Sequence, residues 1–208
     1  MGKPNFDEEN KPYDCPHGVP SNRQSNSRSV SFPSVAKWPG ARLTAVNKLL
    51  RLTMSDMAFQ DYYSEYYSSC YGCGSMNQHG LHIKSYWDGE NTICHFMPKP
   101  YHTAFPGYVY GGLIASIMDC HAIGSAAAAL YKAEGRIMGS MPSIRCVTAS
   151  LKVEFLKPTP IDCELTVRGV IREVKTKKVI LDLSLEAMKL IRAKAEIIAV
   201  RIPENYTV

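Results

Sequence analysis

The segment "YGGLIASIMDC", Tyr110–Cys120, contains the feature on which the interpretation of the fold depends. Its glycine, alanine and aliphatic residues suit a helix that packs closely against a sheet. One acidic residue, Asp119, stands among them. Burying an unpaired carboxylate is costly, so Asp119 is expected to be hydrogen-bonded, paired with a cation or functional.

This segment opens a long predicted helix in a domain that is otherwise rich in strands. The helix is predicted from about Gly111 to Tyr131, with Gly135 just past its end. Before it, "LHIKSYW" and "NTICHFMP" predict two strands joined by the turn "DGEN". After it, four alternating segments predict long strands, namely "SIRCVTASLKVEFLKP", "IDCELTVRGVIREV", "KKVILDLSLEAMKL" and "IRAKAEIIAVRIP". The order predicts an α+β fold in which an antiparallel β-sheet wraps around one long helix.

The chain before this domain has a different composition. Residues 1–53 are predicted to be an extension, and residues 54–208 the folded domain, because the part up to Gly40 is rich in Ser, Asn and Pro without hydrophobic periodicity. "ARLTAVNKLLRLTM" predicts a short amphipathic helix that packs on the domain or on a neighbouring subunit. A transit or membrane-surface segment is the alternative, against which the acidic start "NFDEEN" counts. Ser55 is expected to cap a further short helix through "DMAFQDYYSEYYSS".

Composition narrows the classes of function. The 208 residues include 24 Lys and Arg against 19 Asp and Glu, a net charge of +5 that suits anionic small molecules as readily as nucleic acid. No nucleic-acid-binding motif is found, and no apolar run is expected to be long enough to cross a bilayer. The seven scattered cysteines fit reduced thiols better than a disulfide framework. A cytoplasmic location is therefore expected, with organelle targeting by the basic N-terminal segment as the alternative.

The cysteines also raise the question of a metal site. Cys70 and Cys73 form one Cys-x-x-Cys pair, and the further zinc ligands that the sequence offers are Cys94, His79, His82 and His95. The sequence lacks a second Cys-x-x-Cys pair at the spacing of a zinc ribbon. Neither a metal nor another cofactor is therefore expected. Cys120 beside His121 suggests a nucleophile and its base, but adjacent helix residues point in different directions. That pairing is not expected either.

The order of elements and the segment "GYVYGGLIASIMD" resemble the hotdog fold. The closer resemblance is to the acyl-CoA thioesterases of the phenylacetate-degradation (PaaI-like) and THEM type. Their helix opens with His-Gly-Gly and an acidic residue follows after a fixed gap, positions that Gly111, Gly112 and Asp119 match here. Thr148, ten residues before Pro158, matches the family's Ser or Thr, and "CYGCGSMNQHGL" is similar to the lead-in of one branch. The resemblance covers roughly residues 70–203.

The resemblance implies hydrolysis of acyl-CoA thioesters, with coenzyme A as part of the substrate and no further cofactor. Gly111 and Gly112 are then oxyanion-hole residues, because a helix N-terminus offers free amides and partial positive charge. Asp119 is implied to be the general base or nucleophile, and Thr148 to hold the water or the carboxylate. A homodimer or homotetramer is implied, in which one subunit's glycines meet the other's acid.

The chain departs from the family at two positions. Tyr110 stands where the family has its histidine, and Ala104 aligns with an asparagine that some members carry. Tyr110 itself and His102, which is close by in sequence, are the candidate replacements. A non-catalytic acyl-CoA-binding or regulatory protein is therefore the first alternative. A hotdog dehydratase or isomerase, which requires a catalytic histidine, is the second.

Basic residues surround one predicted hairpin turn, at Arg172, Lys175, Lys177 and Lys178. A solvated hairpin tip is the first interpretation of such a group. The alternative is that Arg172, Lys175 and Lys177 bind the phosphates of coenzyme A, because Arg and Lys pair with phosphate oxygens.

Overall fold

The computed structural model describes residues 57–203. They form one long helix and six strands, which follow the chain as β1 (Ser85–Asp88), β2 (Asn91–Phe96), α1 (Gly111–Ala133), β3 (Cys146–Phe155), β4 (Leu165–Lys175), β5 (Lys178–Ala187) and β6 (Leu190–Arg201). Short 3₁₀ turns lie at Phe59–Tyr62, Glu65–Tyr67 and Pro100–His102. The extension over residues 1–53 lies outside the described residues and stays a prediction.

The six strands form one sheet in the order β1-β2-β4-β5-β6-β3, and all neighbouring strands are antiparallel. Helix α1 contacts every strand of this sheet. Strand β5 shows the reason, since Val179, Leu181 and Leu185 alternate with more exposed residues and are fully buried. The period-2 pattern thus gives the sheet one apolar face, which packs on the helix. The predicted antiparallel sheet around one long helix is confirmed.

Most predicted elements are confirmed with small shifts of boundary. The helix extends two residues beyond Tyr131, and Gly135 follows it with a φ of 63°, a left-handed conformation that suits glycine at a helix end. All four long strands after the helix are present. The first strand was predicted too long, because it begins at Ser85 and not at Leu81. The Leu81 and Ile83 amides instead donate to the carbonyls of Tyr71 and Gly72.

The helix predicted through "DMAFQDYYSEYYSS" is wrong, and its proposed cap, Ser55, lies outside the described residues. The segment forms two 3₁₀ turns in its place. Tertiary contacts set this conformation: the Gln60 side chain donates to Ser85 Oγ at 3.0 Å and accepts from the Ser85 amide at 2.8 Å. Gln60 is buried, so its amide group needs these partners.

The prediction that no apolar segment is long enough to cross a bilayer was wrong for one helix. By length and composition, α1 is apolar enough to cross a bilayer, although no run of that kind was expected. The apolar window of the helix is 78% buried within the fold. Burial against the sheet therefore accounts for its composition.

A buried polar network joins α1 to the first two strands. His121 Nδ1 lies 2.9 Å from Ser85 Oγ, and its Nε2 lies 3.2 Å from Thr92 Oγ1. Ser125 Oγ donates to Thr92 Oγ1 at 2.9 Å. Burial lowers the pKa of His121 to about 3, so the imidazole is neutral and serves as a hydrogen-bonding group. The network fixes β1 and β2 on the helix.

Replacing Thr92 with Val tests this network. Thr92→Val keeps the shape of the side chain but leaves His121 Nε2 without its partner, while Ser125 Oγ keeps its hydrogen bond to the His121 carbonyl at 2.7 Å. We expect the free energy of unfolding to fall by about 1–3 kcal/mol, the cost of buried polar groups left unpaired. Thr166→Val, which removes an exposed hydroxyl on β4, is the matched control and should change stability by less than about 0.5 kcal/mol. Equal denaturant midpoints for the two variants would contradict this role.

Candidate active site

The acidic residue of the opening segment lies in a cavity. Thr148 Oγ1, near the start of β3, donates a hydrogen bond to Asp119 Oδ1 at 2.5 Å. Both residues line a cavity of about 640 Å³, whose other walls come from the Asp61–Cys73 segment, the middle of α1 and the loop before β3. A cavity of this size accommodates a small-molecule ligand. The structure therefore brings together the predicted acid and the predicted threonine.

The surroundings of Asp119 raise the pKa of its carboxyl group. Partial burial raises the pKa of the carboxyl group, the hydrogen bond from Thr148 opposes that rise, and the nearby Cys70 sulfur adds to it. A carboxylate with a raised pKa accepts a proton more readily than an exposed one. The carboxylate is thus both oriented by a donor and suited to proton transfer.

The two glycines stand apart from this acid. Gly111 and Gly112 begin α1 after Tyr110, whose side chain makes no capping hydrogen bond to the helix. Asp119 lies about two turns further along, roughly 12 Å at the helical rise per residue. The Tyr110 ring lies against Gly112, where an added Cβ would come within 2.4 Å of it. Neither glycine lines the cavity, so a single subunit does not bring them to the acid.

The side chain of His102 is engaged elsewhere. Its Nδ1 accepts a hydrogen bond from the Lys99 amide at 3.0 Å, and its ring stacks on Phe96. Burial, followed by the charge of Lys99, lowers the pKa of this imidazole. Its backbone contacts the helix start, where the Tyr110 amide donates to the His102 carbonyl at 2.9 Å. The replacement of the family histidine by His102 or Tyr110 stays a prediction.

The candidate phosphate-binding residues lie around the β4–β5 hairpin. Arg172 Nη1 pairs with Asp182 at 3.1 Å, and Arg172 Nη2 pairs with Glu196 at 2.5 Å. Lys175 Nζ pairs with Glu173 Oε1 at 2.6 Å. Lys177 is exposed at the turn. These three residues do not line the cavity of Asp119. Their binding of coenzyme A stays a prediction.

Sequence reasoning missed a group of thiols in the same cavity. The sulfurs of Cys70, Cys73 and Cys120 lie within 4.8 Å of one another, and the Cys70 and Cys120 sulfurs are 3.8 Å apart. The hydrogen bond from Cys120 lowers the pKa of Cys70 to about 5, and the same contact raises that of Cys120. Among residues 57–203, Cys94 and the three histidines weighed as ligands do not belong to this group. The third thiol comes from α1, so ligand spacing in the loop gives no sign of it.

The fold, an antiparallel sheet around one long helix, is that of a hotdog protein. A thioesterase superfamily protein from Shewanella loihica PV-4 is 45% identical, with a TM-score of 0.51, and the similarity covers 68% of this chain and 100% of that one. The family model described as "Thioesterase superfamily" matches residues 106–188. The chain belongs to the thioesterase superfamily.

Two further similarities are more limited. Acyl-coenzyme A thioesterase THEM4 of Xenopus laevis is 28% identical over 90 residues, 43% of this chain. The match spans only 35% of the length of that relative. A thioesterase from Haemophilus influenzae has a TM-score of 0.52 at 10% identity, with 64% of this chain and 87% of that one covered, and it supports the fold alone.

Two side chains hold the loop before β3: Arg136 donates to the carbonyls of Ser140 and Pro142, and Tyr131 contributes its hydroxyl group. Tyr131 Oη accepts from the buried Ile144 amide at 2.9 Å and donates to the Ser140 carbonyl at 3.2 Å. Tyr131→Phe should therefore free this wall of the cavity, and hydrogen exchange at residues 138–146 should become faster. Tyr66→Phe, at a side chain that is 65% exposed, is the control. Unchanged exchange in Tyr131→Phe would show that other contacts fix the loop.

Proposed function

We propose that this protein hydrolyses acyl-CoA thioesters to a free acid and coenzyme A. The observation that carries the proposal is the Thr148–Asp119 hydrogen bond of 2.5 Å at the wall of a ligand-sized cavity. Membership of the thioesterase superfamily supports it, as does the partial similarity to a relative named as an acyl-coenzyme A thioesterase. Coenzyme A enters as part of the substrate.

Asp119 supplies the chemistry in this proposal. As a base, it takes a proton from water while the water oxygen attacks the thioester carbon. As a nucleophile, it attacks that carbon directly and forms a mixed anhydride, which water then hydrolyses. On either route the carbon–sulfur bond breaks and its electron pair goes to sulfur. On the base route the released thiolate takes up the proton that Asp119 removed from water. On the nucleophile route the thiolate takes a proton from solvent, and hydrolysis of the anhydride by water returns protons to solvent and restores the Asp119 carboxylate. Thr148 holds the carboxylate in position throughout.

The oxyanion donors come from a second subunit in this proposal. Among residues 57–203, strand β3 is an edge of the sheet and has no neighbour on one side. It exposes the apolar side chains of Val147, Leu151 and Phe155. Unpaired strand edges readily pair with another chain. We infer that two copies join their sheets through β3.

The positions along β3 explain how such a dimer completes the site. Phe155 lies beside Gly111, where a Cβ would approach its ring to 3.4 Å, whereas Thr148 lies beside Asp119. If two β3 strands pair antiparallel about a two-fold axis at Leu151, each Thr148 lies toward the Phe155 end of its neighbour, and the two Leu151 side chains face each other. That arrangement carries Gly111 of the partner subunit toward Asp119, where its amide stabilises the oxyanion.

A second candidate function is binding of acyl-CoA without hydrolysis. The observation in its favour is Tyr110, whose ring lies against Gly112 at the helix start where the family has a histidine. A ring in this place limits the approach of a carbonyl to the glycine amides. Measurable binding of acyl-CoA with no thiol release would support this alternative.

Replacing Asp119 with Asn tests the catalytic proposal. Asp119→Asn removes the basic group and keeps the shape, so turnover should fall by at least ~10²-fold, the low end for loss of an acid–base group. The melting temperature should stay the same or rise, because a partly buried charge is removed. Thr148→Ala should lower turnover less, since the carboxylate remains. Thiol release from short, long and aromatic acyl-CoAs, together with a thermal melt, measures both quantities.

The exposed Asp162→Asn is the control for this experiment and should leave turnover unchanged. A structural role for Asp119 gives the opposite order: the Asn variant loses melting temperature first, and activity only in proportion. Turnover close to that of the natural protein in Asp119→Asn would end the catalytic proposal.

Replacing Leu151 with Glu tests the shared site. Leu151→Glu places two carboxylates near the inferred two-fold axis, so their repulsion should separate the subunits. Light scattering at micromolar concentration should show an oligomer for the natural protein and a monomer for the variant. Loss of the partner's amide should also lower turnover by ~10²–10³-fold, as loss of an oxyanion donor does.

Val174→Glu on β4 is the matched control, because Val174 is 38% exposed and Leu151 is 36% exposed. This control should keep the oligomer and the activity. A monomeric Leu151→Glu variant with full activity would contradict the shared site, even if hydrolysis by Asp119 stood.

A further inference from the structure

Three thiols from separate parts of the chain meet beside Asp119. Cys70 and Cys73 lie in the loop before β1, and Cys120 lies on α1, 50 residues after Cys70. All three line the cavity. Gly72 makes the meeting possible, because a Cβ at that position would lie 2.1 Å from the Cys120 sulfur. The loop is thus shaped to bring its two sulfurs against the third.

The spacing of the sulfurs suits a tetrahedral metal ion. Zinc–thiolate bonds of about 2.3 Å place two sulfurs about 3.8 Å apart at the tetrahedral angle. The Cys70 and Cys120 sulfurs are 3.8 Å apart, and every pair lies within 4.8 Å. The three sulfurs are therefore grouped closely enough to be ligands of one ion.

Backbone hydrogen bonds hold the loop that carries two of these sulfurs. The Gly74 amide donates to the Cys70 carbonyl at 2.8 Å and closes the turn. The Ile83 amide donates to the Gly72 carbonyl at 3.0 Å and ties the turn to the chain before β1. Cys70 and Cys73 therefore stand on a loop whose backbone is held in place.

We propose that Cys70, Cys73 and Cys120 bind a zinc ion that fastens the Cys70–Gly74 loop to α1. Thiolate ligands select soft or borderline cations such as zinc over magnesium or calcium. Each thiol that binds loses its proton to solvent as its sulfur donates to the ion. Three protein ligands leave a fourth position, which water occupies from the cavity. The inference does not rest on the proposed hydrolysis.

The test uses the full chain, reduced with a phosphine, freed of metal by a chelator and titrated without oxygen. Cobalt(II) serves as the spectroscopic probe, and zinc then displaces it. We expect one ion per chain, thiolate-to-cobalt charge-transfer bands, and a melting temperature that rises with zinc. Cys70→Ser and Cys120→Ser should each weaken zinc binding by at least ~100-fold. Loss of a residue that only hydrogen-bonds to a metal ligand costs up to about that factor, and loss of a ligand itself should cost no less.

The matched control is Cys146→Ala, which changes a cysteine of the same cavity outside the group. It should keep the stoichiometry and the cobalt spectrum. Alkylation of the natural protein with and without zinc, followed by peptide mass spectrometry, shows which of the seven cysteines the ion protects. This measurement needs no variant to fold, and protection confined to Cys70, Cys73 and Cys120 supports the site.

Three results would overturn the proposal. One is that the reduced chain takes up no metal while all three thiols remain open to alkylation. Another is full zinc affinity in folded Cys120→Ser. The last is protection of a different set of cysteines. A Cys70–Cys120 disulfide in the isolated protein, with no metal uptake after its reduction, would assign the group to redox chemistry instead. If the natural protein binds zinc but does not hydrolyse acyl-CoA, the result counts against the proposed function and not against the zinc site.

Discussion

Burial of α1 against the sheet is the constraint on which the rest of the domain depends. The helix contacts all six strands, so each polar group that it carries inward needs a partner within the protein. His121 and Ser125 find theirs in the hydroxyls of β1 and β2, and Asp119 finds its own in Thr148 of β3. The same packing that forms the core therefore orients the candidate catalytic acid.

The sequence predicted the fold well where one local signal was strong. The alternating strands after α1 fix their own inward face, since a shift by one residue would expose every apolar side chain. The turn between β5 and β6 carries no such signal: Met188 and Lys189 adopt φ values of 54° and 62° without a glycine. The 3₁₀ turns near Gln60 were mistaken for a helix because Ser85, distant in sequence, sets their conformation.

The candidate site was predictable only in part, and by resemblance more than by physics. Asp119 stands out by itself as an acid in an apolar helix, but the sequence alone does not reveal that Thr148 reaches it from β3. Cys120 was missed because spacing rules describe ligands within one loop, and its partners lie across the fold. The location in the cell and the role of residues 1–53 stay predictions.

The absence of a side chain at Gly72 links two distant positions in an evolutionary sense. A Cβ there would lie 2.1 Å from the sulfur and 3.2 Å from the Cβ of Cys120. A larger residue at position 72 is thus compatible with this packing only where position 120 has become smaller. In descendants of this chain, the two positions should change together or not at all. Substitutions in the loop and in the helix should consequently be correlated, although the two positions lie far apart in sequence.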